Sequence, residues 1–336
     1  MDNATLIYDN VFYTRKIALT TLLDVKDLVV EFRMPEGRLR APDGVSFHVK
    51  PREILGVVGE SGSGKSVTAL AIMGLIPHPP GKIVSGTLLF QGQDLQAQIQ
   101  KIRGKEISMV FQNPLNSLNP SLKIGLQLTE VLVEHLHTSQ TEADERTIDL
   151  MKKLGIPEPQ ALMRCYPFEY SGGMRQRIMI AMAMLCNPTF MIADEPTTAL
   201  DVTIQAQILH LFQQLREEFR TSILYITHDL SVVSQIADRV LVMYAGKIVE
   251  HAQTERIFAN PLHPYTQGLI RSIPGATSEG AKRLSSIPGN VPGLIHPPPG
   301  CRFHPRCAEV MDVCRHEIPP DFQVEGTSVA CWLYKE

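Results

Sequence analysis

The octapeptide Gly59-Glu60-Ser61-Gly62-Ser63-Gly64-Lys65-Ser66 fits the pattern G-x-x-x-x-G-K-S/T, and its flanks restrict how it can fold. Residues 53–58 form a short apolar run that predicts a buried strand, and 66–76 predict a helix stopped by Pro77. A loop between a buried strand and a helix N-terminus aims backbone N–H groups and the positive end of the helix dipole at one spot. Glycine lets the chain curl tightly enough to bring them there. Such a nest suits a phosphate group. Lys65 is expected to reach the β- and γ-phosphates of a nucleotide, and the Ser66 hydroxyl to ligate Mg2+. The expected nucleotide contacts are Gly59, Ser61, Gly62, Ser63, Gly64, Lys65, Ser66 and Val67. The alternative, a flexible Gly/Ser loop, fits poorly with a strand and a helix so close on either side.

The surrounding chain has the texture of an α/β protein. Up to about residue 274, short apolar runs alternate with helical patterns, as in folds built on a mostly parallel sheet. Strands are predicted at 190–193 and Ser222–Thr227, and Arg239–Tyr244 with 247–250 read as a hairpin about Ala245-Gly246. Residues 201–219 predict an amphipathic helix with Ile204, Ile208, Leu211, Leu215 and Phe219 on one stripe. Between about 113 and 186 the pattern turns helical. Ile124, Leu128, Val131 and His135 share a face there, and a helix over 143–154 stops at Gly155. The longest wholly apolar run, 178–186, is far short of the roughly 20 residues that span a bilayer. Asp9, Arg15 and Lys16 interrupt the first apolar stretches, so no cleavable leader is expected. Thirty-two Lys and Arg against 35 Asp and Glu give a net charge of −3, which argues against broad nucleic-acid coating. With 44% hydrophobic residues in 336, the chain can bury a substantial core, and the expectation is a soluble, intracellular enzyme.

Two more motifs carry chemistry. Met191-Ile192-Ala193-Asp194-Glu195 reads as an apolar strand that delivers two carboxylates at its C-terminal end. Asp194 is expected to hold Mg2+ through water. Glu195 is expected to polarise the attacking water, a role that contributes ~10²–10⁴-fold in rate. The alternative is a solvated acidic turn before Pro196. In Tyr170-Ser171-Gly172-Gly173-Met174-Arg175-Gln176, a serine and two glycines open a helix whose first N–H groups can meet a γ-phosphate. A serine cap with a glycine hinge is the plainer reading.

That last stretch resembles the signature motif of ABC-transporter ATPases, with Tyr170 where leucine is commoner. In that family the signature meets the phosphate of a partner subunit, so ATP lies head-to-tail between two chains. The resemblance therefore implies nucleotide contacts at Ser171, Gly172 and Gly173. Phe111-Gln112 resembles the Q-loop, whose glutamine touches Mg2+ and senses the transmembrane partner. Ala199-Leu200-Asp201 resembles the D-loop, which implies a contact through Asp201 across the dimer interface. His228 stands where the switch histidine does, implying a contact to the γ-phosphate and an ordering role toward Glu195. The implied catalytic set is Glu195, His228 and Gln112, with Mg2+ held by Ser66, Gln112 and Asp194. Phe32 is the candidate to stack on adenine, a strand-edge core phenylalanine being the equal alternative. The resemblance covers about residues 22–336. It implies an α/β, ABC-type P-loop ATPase core over 22–273, with an antiparallel β subdomain and a helical subdomain at about 113–186. Residues 1–21 form an N-terminal extension with no assigned role.

Residues 274–336 differ in texture. They hold nine of the 24 prolines and four of the six cysteines, so a core of their own is hardly possible without a staple. Cys301, Cys307, Cys314 and Cys331 are spaced x5, x6 and x16, unlike common zinc ribbons or ferredoxin runs. The residues alone leave metal, free buried thiols and disulfides open, with metal favoured. Arg302, Arg306 and Arg315 beside them read as solvated surface arginines, or else as charges offsetting a cluster. This region, from 300 to 307, together with Asn260–Gln267, is similar to the ATPases of bacterial dipeptide and oligopeptide importers, most of all the dipeptide-importer ATPase. That implies a 4Fe–4S cluster on the four cysteines, with Zn2+ as the alternative, serving as a structural clamp. It also implies a second, different ATPase as heterodimer partner, two transmembrane permeases and an extracytoplasmic peptide-binding protein. The chain would sit peripherally on the cytoplasmic face of the membrane, touch neither peptide nor nucleic acid, and form at most an ATP-dependent homodimer in isolation. Nickel and glutathione importers share these features, so the cargo stays open. A soluble ABC-type ATPase of ribosomes or DNA is the runner-up, and a plain phosphate-loop kinase leaves the signature and tail unexplained.

Overall fold

Every residue of β3 (Ile54–Val58) is buried, so this strand must be covered on both faces. It lies at the middle of an eight-stranded sheet, which the structure, a computed structural model, describes within residues 20–112, 117–198, 200–273 and 287–335. β3 pairs in parallel with β8 (Ser222–Thr227) on one side and β9 (Arg239–Tyr244) on the other. Beyond β8 follow β7 (Phe190–Asp194) and β6 (Ile107–Val110), also parallel. Gly56 is needed for close approach, since a Cβ there would overlap Val233 of α8 (Leu230–Ile236).

A second, antiparallel sheet has the order β2–β1–β4–β5, formed by β1 (Leu23–Met34), β2 (Gly37–Val49), β4 (Gly81–Phe90) and β5 (Gln93–Asp94). Its inward side chains, among them Leu28, Val30, Phe47 and Phe90, share a core with Leu55 and Val57 of β3 and Ile72 of α1 (Lys65–Ile72). α1 ends four residues earlier than expected because Gly74 takes φ +63°, a turn that α-helix cannot continue. α2 (Leu95–Ile102) follows β5, capped by the Asp94 carboxylate.

The helical segment comprises α3 (Ile124–Leu136), α4 (Gln140–Lys153), α5 (Pro159–Leu162) and α6 (Gly172–Met184). Ser139 caps α4 and Ser171 caps α6 through their side-chain oxygens, as such residues do. Leu128, Leu150, Met151 and Ile178 join the core under β7 and α7 (Val202–Phe219), where each such side chain contributes roughly 1.5–3 kcal/mol. The α7 stripe is as expected: Ile208, Leu211 and Leu215 are buried, with Ile204 and Phe219 at its edges.

The tail does not stand alone. Its hairpin, β11 (Phe322–Val324) and β12 (Thr327–Val329), extends the main sheet antiparallel to β10 (Lys247–Gln253), pairing Val329 with Glu250. Between them in sequence lie α9 (Thr254–Ala259) and α10 (Pro264–Arg271). Most of the N-terminal extension, the first residue of the Ala199-Leu200-Asp201 motif and residues 274–286 lie outside the described residues.

Candidate functional site

The phosphate loop runs from the end of β3 into α1. Gly64 caps α1 with φ +99°, and the helix has neither a side-chain cap nor an acidic residue in its first turn. Its N-terminal N–H groups thus face a dipole-positive concavity without a competing carboxylate. Lys65 is buried; its Nζ donates to the carbonyls of Gly59 at 2.7 Å and Glu60 at 3.1 Å, so the ammonium lies folded back along the loop. Burial pushes its pKa down, and the Glu195 and Asp194 carboxylates oppose that shift.

β7 ends beside the loop. Ser66 Oγ donates to Asp194 Oδ1 at 3.0 Å. Burial raises the Asp194 pKa against this hydrogen bond, with the Glu195 charge adding to the rise. A hydroxyl beside a buried carboxylate is the hard-oxygen chemistry Mg2+ prefers, and a cation there would relieve the buried charge, so these residues fit the ion.

Glu195 takes a left-handed backbone conformation, φ +47°, which costs on the order of 1–3 kcal/mol for a residue with a side chain. Its carboxylate is the meeting point of three side chains. Oε2 accepts from Gln112 Nε2 at 2.8 Å and from Thr198 Oγ1 at 3.0 Å, and Oε1 lies 3.3 Å from His228 Nδ1. Lys65, Ser66, Gln112, Asp194, Glu195 and His228 therefore converge. Thr198 was not foreseen. Only its position three residues beyond Glu195 hinted at it.

Other expected residues lie elsewhere. Ser171 is exposed, and Gly172 and Gly173 pack toward Leu200 and Ile204, where a Cβ on Gly173 would come within 2.7 Å of Ile204 Cγ2. Asp201 caps α7, accepting from Ile204 N at 3.0 Å. Phe32 is half-buried, its ring against Gly81 and the first core. Beside Gln112 opens a groove of about 810 Å3 lined by Leu70, Met109, Phe111, Val131, His135 and Met182. Val131 and His135 thus line a groove on the expected α3 face, where Ile124 and Leu128 are fully buried.

The tail bears on two expectations. Among the described residues no three His, Cys, Asp or Glu side chains are grouped to hold a metal ion, so a metal-binding tail is not supported. The thiols behave as small hydrophobic groups. Cys331 packs with Leu262 and Val329, and Cys301 and Cys307 pack on the core around Tyr244 and Phe303. Burial pushes the Cys301 and Cys331 thiols up to about 11, which favours their neutral form. The arginines differ too: Arg315 is exposed, but Arg302 and Arg306 are not solvated. Arg302 bonds the Ala245 carbonyl and the Asp43 carboxylate, and Arg306 bonds Glu60 of the phosphate loop.

A strand–phosphate loop–helix, an acidic pair ending the next strand but one, and a glutamine and histidine converging on it define a nucleotide-binding cassette of the ABC type. Residues 42–198 match the family described as ABC transporter, and residues 249–314 match the family described as Oligopeptide/dipeptide transporter, C-terminal region. The Oligopeptide transport ATP-binding protein OppD of Bacillus subtilis (strain 168) is 51% identical over 322 residues, covering 94% of this chain and 90% of that protein. The Dipeptide transport ATP-binding protein DppD of the same organism is 47% identical over 317 residues, covering 93% and 94%. A bacterial ABC transporter cassette with a dimeric solved structure superposes with a TM-score of 0.62 at 26% identity, over 69% of this chain and 98% of that one. The chain belongs to the ABC transporter family, with the oligopeptide and dipeptide transport ATP-binding subunits, and is an ATPase of that family. The dipeptide branch is not singled out, since oligopeptide relatives match at least as well.

Proposed function

We propose that this chain hydrolyses ATP to power import of di- or oligopeptides across the bacterial cytoplasmic membrane. The observation that carries the hydrolytic part is the Glu195 carboxylate, held by Gln112, Thr198 and His228 beside the Ser66–Asp194 pair. Lys65 and the N–H groups of Gly62, Gly64 and Ser66 bind the phosphates, with Gly59, Ser61, Ser63 and Val67 completing the cradle. Ser66, Asp194 and Gln112 hold Mg2+, which when bound neutralises charge developing on the phosphates. Glu195 takes the proton of the attacking water, and His228 keeps that carboxylate aimed. Ser171, Gly172, Gly173 and Asp201 face a partner's nucleotide in a head-to-tail dimer, which the exposed Ser171 and the dimeric form of the related cassette support. Phe32 stacks on adenine.

The partner is a second, different ATPase, and a homodimer forms at most in isolation. The complex includes two permeases, fed by an extracytoplasmic peptide-binding protein, and the helical segment beside the Gln112 groove docks on a permease. No helix among the described residues is long and apolar enough to cross a membrane, consistent with peripheral attachment at the cytoplasmic face through those permeases. In this reading residues 22–273 form the ATPase domain and 274–336 an extension. A 4Fe–4S cluster on Cys301, Cys307, Cys314 and Cys331, with Zn2+ as alternative, has as support that the thiols lie within electrostatic reach of one another. It further requires side-chain rearrangement, and iron, sulfide and zinc analysis of the purified protein tests it. The transport reading is tested by uptake of labelled di- and oligopeptides in cells carrying Glu195→Gln. Loss of uptake is expected; undiminished uptake would refute it.

A further inference from the structure

Glu60 places a negative charge inside a loop built to hold a polyphosphate. A cation held against it would offset that repulsion, and the structure supplies one. Arg306, from the C-terminal tail and 246 positions away, forms a forked pair with that carboxylate: Nη1 to Oε2 at 2.7 Å and Nη2 to Oε1 at 3.1 Å. The guanidinium is buried and fixed on its other sides. Nε donates to Pro288 O at 2.9 Å, Nη1 to the Tyr244 hydroxyl at 3.4 Å, and Nη2 to Ile287 O at 3.4 Å, so all five N–H donors are used. The Tyr244 ring lies beneath it, centroid 5.7 Å away. The same loop residue is held a second time, for the Tyr265 hydroxyl accepts from Glu60 N at 2.9 Å. Tyr265 is fixed in turn by packing on Tyr244 and Phe303.

Glu60 also reaches the phosphate-binding side chain, since its carbonyl, with that of Gly59, holds Lys65 Nζ. A rigid chain of contacts thus runs from the tail through Glu60 to Lys65. We propose that Arg306 is a positioning residue for the phosphate loop, cancelling the Glu60 charge and fixing the peptide that orients Lys65, so that the tail sets affinity for MgATP. This rests on the reading of residues 59–66 as the ATP site. The fork is specific to arginine, because an ammonium cannot bond both carboxylate oxygens and both flanking carbonyls at once.

The test is a double-mutant cycle on the full chain, with a fluorescent ATP analogue and Mg2+ for affinity and phosphate release for kcat. Arg306→Gln strands the Glu60 charge and is expected to weaken nucleotide binding about tenfold, or 1.4 kcal/mol, with kcat at saturation changed less than about threefold. Adding Glu60→Gln removes the stranded charge and is expected to recover most of that loss. A contact that serves stability alone would lower Tm but give neither the affinity loss nor the rescue. Arg306→Lys keeps a cation to sustain the fold and should weaken binding about threefold. Parental affinity in Arg306→Gln or Arg306→Lys, or a double variant as weak as the single, overturns the proposal. Lys65→Ala is the control: it should abolish binding. A parent protein that binds no MgATP would overturn the ATP reading itself, and this inference with it.

Discussion

Replacing Glu195 by glutamine isolates the chemical step from binding, and the structure says why. The carboxylate is held by Gln112 and Thr198 on Oε2 and lies by His228 on Oε1. A glutamine of nearly the same shape keeps its carbonyl oxygen toward the two donors and turns its NH2 to His228 Nδ1, in the tautomer that leaves Nδ1 as acceptor. The side chain therefore stays in place while its basicity is lost. General-base removal costs ~10²–10⁴-fold, so kcat should fall by that factor, a barrier about 3–5 kcal/mol higher. Nucleotide binding should hold within about threefold. Loss of the Glu195 charge also eases ionisation of Asp194, whose pKa that charge helps to raise, so Mg2+ binding should not weaken. Steady-state phosphate release and equilibrium nucleotide binding, measured on one preparation, separate the two effects. A kcat within tenfold of the parent, or affinity falling in step with kcat, would refute the reasoning.

Three further outcomes are expected. Lys65→Ala removes the ammonium folded along the loop and should abolish measurable MgATP binding while leaving the circular-dichroism spectrum unchanged; retained binding would displace Lys65 from its role. Asp194 has its pKa raised by burial, so its ionised form costs stability at neutral pH, and that cost fades as pH falls through the raised value. Asp194→Asn should therefore raise Tm by on the order of 1–3 °C while Mg2+-dependent hydrolysis is lost; an unchanged or lower Tm contradicts this. Burial pushes His263 down to about 3 and His251 to about 4, from an ordinary value of 6.5. Bases more acidic when folded take up protons on unfolding, so their contribution is intact above about pH 6.5 and drains as pH falls toward 3. With both groups engaged near pH 5 the slope approaches about 2.7 kcal/mol per pH unit, and urea midpoints that stay flat between pH 7.5 and 5 would count against it.

The parts that the sequence made legible are those whose chemistry is local. The octapeptide, the acidic pair after an apolar strand and the Ser-Gly-Gly helix start each lie within eight residues, and the β8 bounds match the expected strand. Legibility failed where partners are far apart. Arg306 and Glu60 are separated by 246 positions, and nothing periodic links them, so a forked pair with a buried arginine reads in sequence as two ordinary surface charges. Val329 joins the main sheet through only a three-residue strand, too short to show alternation. The α1 end falls earlier than Pro77 predicts, because Gly74 breaks the helix first. For the cysteines, resemblance suggested ligands, while their surroundings are those of packed, neutral thiols.

The central claim is that ATP turnover in this chain drives a membrane importer. Its most direct test is to solubilise membranes in mild detergent, purify the tagged chain under native conditions and identify by mass spectrometry what remains bound. The account predicts two multispan permeases and a second, different ATPase, with ATP hydrolysis that rises on adding a peptide-loaded binding protein. Ribosomal or DNA-bound partners with no membrane protein among them would contradict it.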